Sequence, residues 1–98
     1  MIKVHINKNK IMMTGHAMYD CYGKDIVCAS ASSIVITSIN ACLRIDKSSL
    51  NYEEGKDNLV INVTSDNENI LLIIENMIFM LEELACTYKK NIKIIKED

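Results

Sequence analysis

The sequence predicts an α+β fold, in which two main helices pack on one face of a mostly antiparallel sheet. Residues 2–7 alternate between apolar and polar side chains, the pattern of a strand with one buried face. Two longer segments, 26–45 and 68–88, repeat apolar residues every three or four positions, as amphipathic helices do. Strand-like segments precede, separate and follow these helices, so the order β-β-α-β-β-α-β predicts a two-layer sandwich.

Length and composition limit the class of protein. Ninety-eight residues suit one domain, which we expect to span residues 1–98. Apolar residues make up 49% and proline is absent, so the chain should consist mostly of regular elements joined by short turns. The net charge of −2, from 11 basic and 13 acidic residues, gives no argument for nucleic-acid binding. We therefore expect no direct nucleic-acid partner.

The first two strands are predicted to form a hairpin. Residues 2–7 make the first strand, residues 7–9 (Asn-Lys-Asn) supply a turn, and residues 10–16 return as the second strand. Gly15 would weaken the interior of a strand. It therefore indicates the end of that strand, or a place where another backbone comes close.

The remaining elements follow from caps and periodicity. Asp25 is a candidate N-cap for a first helix that runs to about Ile45. Its apolar and small residues recur at positions 27, 31, 34, 35, 38, 39 and 42. The later elements are a brief strand at 50–52, a polar turn at 53–57, a strand at 59–64, a second helix started by residues 65–68, and a last strand at 91–96. The apolar residues of the second helix are Ile70, Ile73, Ile74, Met77, Leu81 and Leu84.

Apolar residues also fall on the charged side of the second helix. Leu72, Phe79 and Cys86 repeat every seven residues among glutamates. Such a stripe can contact a second chain. Scattered apolar surface residues are an equally good interpretation.

The candidate chemistry centres on Cys28. If Asp25 caps the helix, this thiol lies at the third helical position, where free N–H groups and the helix dipole favour the thiolate. His16 ends the preceding strand and could take the proton, or hold it for a leaving amine. The N–H groups at the helix start, with Ala29 or Ser30, could bind an oxyanion.

Three alternatives stay open for these residues. Asp25 could cap the helix, orient His16 as the third member of a triad, or do both. A zinc site from His16, Cys21 and Cys28 would lack an evident fourth ligand, so no metal is expected. Cys21 could be a surface thiol or a resolving partner for Cys28.

Further polar and thiol residues are expected to be structural. His5 lies on the polar face of the first strand and should be solvated, whereas Cys42 and Cys86 fall within helices and are most simply small apolar side chains. The uncharged run 26–43 contains serines and is shorter than the ~20 apolar residues that a bilayer needs, so we expect a buried helix and no membrane partner. The N-terminus has no signal-peptide pattern, which predicts a cytoplasmic protein with reduced cysteines.

Two short motifs resemble a known family. Gly15-His16-Ala17, followed by Asp25-Ile-Val-Cys-Ala-Ser-Ala-Ser32, is similar to the paired motifs of the ribosomal-processing cysteine proteases of Firmicutes and their relatives, the Prp family. The resemblance implies a single cysteine protease domain over residues 1–98. It implies Cys28 as nucleophile and His16 as general base, with active-site support from Gly15, Ala29 and Ser32.

The resemblance also implies a substrate and an assembly. Proteins of this family remove an N-terminal extension from a large-subunit ribosomal protein, the one numbered twenty-seven, after a pair of aromatic residues. They are homodimers, with a mobile loop that corresponds to residues 18–24. For this chain we expect no cofactor. The alternative function is a non-catalytic, ribosome-associated binding module in which Cys28 only packs at the start of a helix.

Overall fold

The computed structural model describes residues 1–15 and 25–97. The elements are β1 (Ile2–Asn7), β2 (Lys10–Thr14), α1 (Ile26–Ile45), β3 (Leu50–Glu54), β4 (Asn58–Val63), α2 (Glu68–Thr87) and β5 (Ile92–Glu97). This is the element order that the sequence predicted, so the α+β prediction is confirmed.

The strands form a five-stranded mixed sheet in the order β3-β4-β2-β1-β5. The pairs β1–β2, β2–β4 and β3–β4 are antiparallel. The pair β1–β5 is parallel, because α2 returns the chain from one end of the sheet to the other before β5 begins. The mostly antiparallel sheet is therefore confirmed, with one parallel edge.

Several predicted boundaries were wrong by one or two residues. β2 ends at Thr14 rather than at residue 16, and α2 ends at Thr87. β3 continues to Glu54, inside the predicted turn, because Glu54 pairs with Leu59 of β4. Cross-strand partners decide where a strand ends, and the local sequence does not contain that information.

The core lies between the helices and one face of the sheet. α1 and α2 pack against each other, and α2 also packs on β5. The residues of α1 that are buried are Val27, Ala31, Val35, Ser38, Ile39 and Cys42. Those of α2 are Ile70, Ile74, Met77 and Leu81. Of the other predicted core positions, Ile34, Ile73 and Leu84 are partly buried and pack against this cluster.

α1 is long and apolar enough to cross a membrane by length and composition alone. One side of this helix is nevertheless buried in the core, with Val27 and Cys42 at 0% exposure. Its hydrophobicity is therefore used to pack the helix on the sheet, as expected for a core helix of an α+β domain.

The face of the sheet opposite the helices carries mostly polar side chains. His5 lies on this face and its Nδ1 is 2.8 Å from Oε1 of Glu97, which ties the middle of β1 to the end of β5. The expectation of a merely solvated His5 was therefore incomplete. The ring is 31% exposed and has a carboxylate partner.

Candidate active site

Asp25 is the N-cap of α1. Its backbone is extended (φ −75°, ψ 103°), and its Oδ1 accepts hydrogen bonds from the N–H groups of Val27 at 2.9 Å and Cys28 at 3.0 Å. A carboxylate at this position satisfies N–H groups that have no partner within the helix and complements the helix dipole. Asp25 thereby fixes the backbone that carries the Cys28 thiol.

The capping geometry changes the expected oxyanion site. The Cys28 N–H already donates to the Asp25 carboxylate, and the Ala29 N–H donates to the Asp25 carbonyl oxygen at 3.1 Å. The sequence predicted these groups as oxyanion donors. In this structure both are occupied, so a substrate oxygen that used the Cys28 N–H would have to compete with Asp25.

Cys28 lies on the wall of a cleft of about 340 Å³. The cleft separates the N-terminal half of α1 from the end of β2 and from the turn between β3 and β4. Its apolar lining includes Ile2, Met13, Val35, Ile36 and Leu59. A cleft of this size with an apolar lining can hold side chains of an extended peptide next to the thiol.

The opposite rim of the cleft comes from the β3–β4 turn. Glu54, Lys56, Asp57 and Asn58 line it, and none of them was predicted as a site residue. The local pattern indicated only a polar turn there. What brings this turn opposite Cys28 is the pairing of β4 with β2, a long-range contact that no short motif encodes.

Gly15 ends β2 and lies in the same cleft. Its φ is 85°, a left-handed conformation that favours glycine, and a Cβ here would overlap the carbonyl oxygen of Met1. Its N–H donates to the carbonyl oxygen of Asp57 at 3.0 Å. Both interpretations made for this residue, a strand end and a close approach of another backbone, are therefore correct.

The other predicted site residues are placed as follows. Ser32 is exposed and lines the cleft one turn of α1 beyond Cys28. Ala29 is exposed next to Cys28. His16 and Cys21, together with the loop predicted at 18–24, lie outside the described residues. Within 1–15 and 25–97, no three His, Cys, Asp or Glu side chains form a group that could hold a metal ion.

The three described thiols have different surroundings. Cys28 is partly buried, Cys42 is fully buried and Cys86 is exposed on α2. Burial raises the pKa of the Cys42 thiol, which makes it a poor nucleophile near neutral pH. Cys42 therefore packs in the core as a small apolar side chain, and Cys86 lies on the exposed side of α2, where the sequence also placed it.

Comparison with known proteins places the chain in a family. The model of the cysteine protease Prp family matches residues 1–93. The chain belongs to this family. The Prp motifs Gly15-His16-Ala17 and Asp25–Ser32 lie inside the matched range.

Curated relatives carry the same description. The ribosomal processing cysteine protease Prp of Staphylococcus aureus is 32% identical over 87 residues, which cover 86% of this chain and 82% of that protein. The Mycoplasma genitalium protein of the same name is 28% identical over 97 residues, covering 99% and 97% of the two chains. The Bacillus subtilis Prp is 30% identical over 89 residues, or 84% and 80%.

Solved structures match over nearly the whole chain. The S. aureus Prp in complex with a covalently linked product peptide superposes with a TM-score of 0.89 and 30% identity, covering 99% of this chain and 100% of that one. The same protease with a substrate peptide gives a TM-score of 0.86 and 27% identity, over the same shares of both chains. Those two Prp structures hold a covalently linked product peptide and a substrate peptide, respectively.

Proposed function

We propose that this protein is a cysteine endopeptidase that removes the N-terminal extension of a large-subunit ribosomal protein, the one numbered twenty-seven, before or during ribosome assembly. The observation that carries the proposal is the position of Cys28, at the start of a capped helix and on the wall of a peptide-sized cleft. Membership of the Prp family and the description of its relatives as ribosomal processing proteases support it.

The proposed reaction uses a Cys28–His16 dyad. The Cys28 thiolate attacks the scissile carbonyl carbon, and the peptide C–N bond breaks as the protonated His16 gives its proton to the leaving amine. A water molecule then attacks the acyl carbon of the resulting thioester and its proton passes to His16. The C–S bond breaks, the new carboxyl end of the substrate leaves, and the Cys28 thiolate beside protonated His16 is restored. No metal or cofactor takes part in this scheme.

The cleft supports an extended peptide as substrate. Ile36 is 52% exposed on α1 and lines the cleft together with Met13 and Leu59. Apolar surface at the edge of a cleft is costly to leave in water and is stabilised by an apolar side chain of the substrate. This fits the bulky apolar residues that the family resemblance implies before the cleaved bond.

Cleavage of the purified ribosomal-protein precursor tests the function. We expect the wild-type protein to shorten the precursor at one position, read by mass spectrometry of both products, and Cys28→Ala to give no product. Cys86→Ala is the matched control, because that thiol is exposed on α2 and away from the cleft. Full cleavage by Cys28→Ala, or none by the wild type, would contradict the proposal.

Alkylation separates an enzyme from a binding module. A nucleophilic Cys28 should react with iodoacetamide near neutral pH faster than exposed Cys86, although it is the less accessible of the two. Peptide mapping after a short exposure gives the order of reaction. If Cys86 reacts first and the precursor binds without being cut, the non-catalytic module is the better description.

The proposal includes a homodimer in the cytoplasm. Leu72 and Phe79 on α2 are 63% and 59% exposed, the highest values among the large apolar side chains of the described residues. With Cys86, also exposed, they form the stripe of three residues at seven-residue spacing that the sequence indicated. The stripe lies on the helical layer, so a second copy could cover it and leave the open face of the sheet free.

A further inference from the structure

Four exposed lysines are gathered at one end of the β1–β5 edge. Lys3 of β1 and Lys93 of β5 are direct partners in the parallel register. Lys89 and Lys90 lie in the turn that connects α2 to β5. All four are exposed, and together they are called the basic corner below.

Main-chain hydrogen bonds hold the basic corner together. In the turn, the carbonyl oxygen of Tyr88 accepts from the N–H groups of Asn91 at 2.9 Å and Ile92 at 3.2 Å. The N–H of Ile2 donates to the carbonyl oxygen of Asn91 at 2.8 Å. The backbone of the turn is therefore joined to β1, which places the four lysines at one corner of the fold.

Within residues 1–15 and 25–97, the lysines of the basic corner form no ion pair. The ion pairs in this part of the chain join Lys96 to Glu82 at 3.1 Å and His5 to Glu97 at 2.8 Å. Neither includes a lysine of the basic corner. Because the whole chain has a net charge of −2, this local positive charge is opposite in sign to the average. Like charges held side by side repel one another, and an anionic partner removes that cost.

The basic corner continues across the open face of the sheet as a row of neutral polar side chains. The register runs from Lys93 to Lys3, then to Thr14 of β2 and Asn58 of β4. This row contains no carboxylate. It ends beside the cleft, since Thr14 precedes Gly15 and both Gly15 and Asn58 line the cleft.

We propose that the basic corner and this row bind the phosphate backbone of RNA. Lysines attract phosphates without regard to base sequence, and hydroxyl and amide side chains donate hydrogen bonds to phosphate and sugar oxygens. The choice of RNA over an acidic protein rests on the proposed function, because an enzyme that acts on a ribosomal-protein precursor works where ribosomal RNA is present. The expectation of no nucleic-acid partner used the net charge, which hides this arrangement.

The size of the effect can be estimated from the number of lysines. Each neutralised phosphate of a single strand contributes about −0.7 to the slope of log K against log salt concentration. Four lysines therefore predict a slope of about −3, with a dissociation constant of roughly 10⁻⁴ to 10⁻⁶ M at physiological salt, as for other sequence-independent binders. Contacts of this strength hold an enzyme near RNA without trapping it there.

The test measures the binding of a fluorescently labelled oligouridine RNA of twelve nucleotides. Fluorescence anisotropy gives the dissociation constant at salt concentrations from about 50 to 200 mM. Lys3→Gln combined with Lys93→Gln should weaken binding several-fold at low salt and make the slope less steep by about 1.4. Lys8→Gln combined with Lys47→Gln is the matched control. It removes the same charge at exposed positions outside the basic corner and should behave like the wild type.

Three outcomes would overturn the proposal: no RNA binding at about 50 mM salt, equal weakening in both double variants, or an acidic peptide of equal charge that binds as tightly as the RNA. The last result would assign the basic corner to an acidic protein instead. Cleavage of a free peptide should be unchanged in Lys3→Gln/Lys93→Gln, and RNA binding should be unchanged in Cys28→Ala. Failure of the RNA proposal and failure of the peptidase proposal are therefore distinguishable.

Discussion

Asp25 shows how one carboxylate can serve both the helix and the thiol. Its Oδ1 accepts from the N–H groups of Val27 and Cys28, so it stabilises the first turn of α1 and sets the orientation of the Cys28 backbone. It also occupies a donor that an oxyanion would use. The hydrogen bonds show that Asp25 caps α1. Substitutions at this position can test whether its charge also contributes to catalysis.

Two substitutions at position 25 make that separation. Asp25→Ala removes both capping hydrogen bonds and should lower the free energy of unfolding by about 1 kcal/mol, which is about 4–8 °C in Tm for a domain of this size. Asp25→Asn keeps an oxygen acceptor without the charge, so its Tm should stay near the wild-type value. Thermal unfolding followed by circular dichroism measures both.

Cleavage assays on the same proteins complete the comparison. If Asp25 only caps the helix, Asp25→Asn should retain most of its activity. If the negative charge orients His16, Asp25→Asn should lose activity while its Tm is unchanged. An Asn variant as unstable as the Ala variant would show that capping by a side-chain oxygen is not what stabilises this end of α1.

Asp46 ends α1 and makes part of the stability pH-dependent. Its Oδ1 accepts from the backbone N–H of Ser48 at 2.9 Å and from the Ser48 hydroxyl at 2.8 Å, which holds the pKa of the carboxyl below its ordinary value of 3.8. In the unfolded chain the group takes up a proton at higher pH. The stabilisation is therefore present above about pH 4 and is lost as the pH falls through the lower, folded-state pKa.

Urea unfolding at about pH 6 and about pH 3 checks this expectation. Asp46→Asn should be less stable than the wild type at the higher pH, and the difference should shrink at the lower one. Ser48→Ala, which removes one of the two donors, should give a smaller difference at the higher pH. A wild-type advantage that is constant between the two pH values would contradict the assignment.

At the scale of elements, α2 has two apolar sides with different tasks. One side, which includes Met77 and Leu81 at 0% exposure, is buried in the core. The other carries exposed Leu72 and Phe79 with Glu75 between them, on a helix that has no further layer above it within the described residues. A homodimer of usual size buries about 800 Å² on each partner, and this side of α2 is the apolar surface from which such an interface would be built.

Charge introduced into the stripe tests the dimer. Leu72→Glu combined with Phe79→Glu should convert a dimer into a monomer, because burying two unpaired carboxylates costs several kcal/mol, and light scattering after size-exclusion chromatography gives the mass. Ile45→Glu is the control, since Ile45 is 50% exposed at the far end of α1 and outside the stripe. A monomeric wild type, or a dimer that survives the double substitution, would reject this surface.

At the scale of the whole molecule, sequence patterns predicted the elements better than their assembly. The alternation in β1 and the periodicity of both helices are local signals, and each gave the correct element. The paired motifs around Cys28 likewise indicated the family before any fold was known. The turn between β3 and β4 could not be assigned to the site in this way, because it reaches the cleft only through the pairing of β4 with β2.

Two other properties also emerge only on folding. The basic corner combines residue 3 with residues 89, 90 and 93, which lie almost the full length of the chain away from it. The net charge of −2 does not indicate this local positive charge. The competition between Asp25 and an oxyanion for the Cys28 N–H follows from the cap geometry. The local sequence suggested both the Asp25 cap and an oxyanion site at the helix start, but not that the two would use the same N–H donor.

The parallel pairing of β1 with β5 affects when, during synthesis of the chain, the fold can be completed. β1 can pair with its neighbour on that side only after residues 92–97 have been synthesised. Pairings between such distant segments form slowly, because a long stretch of chain must be closed into a loop first. A nascent copy would therefore remain an unfinished fold until translation had passed β5.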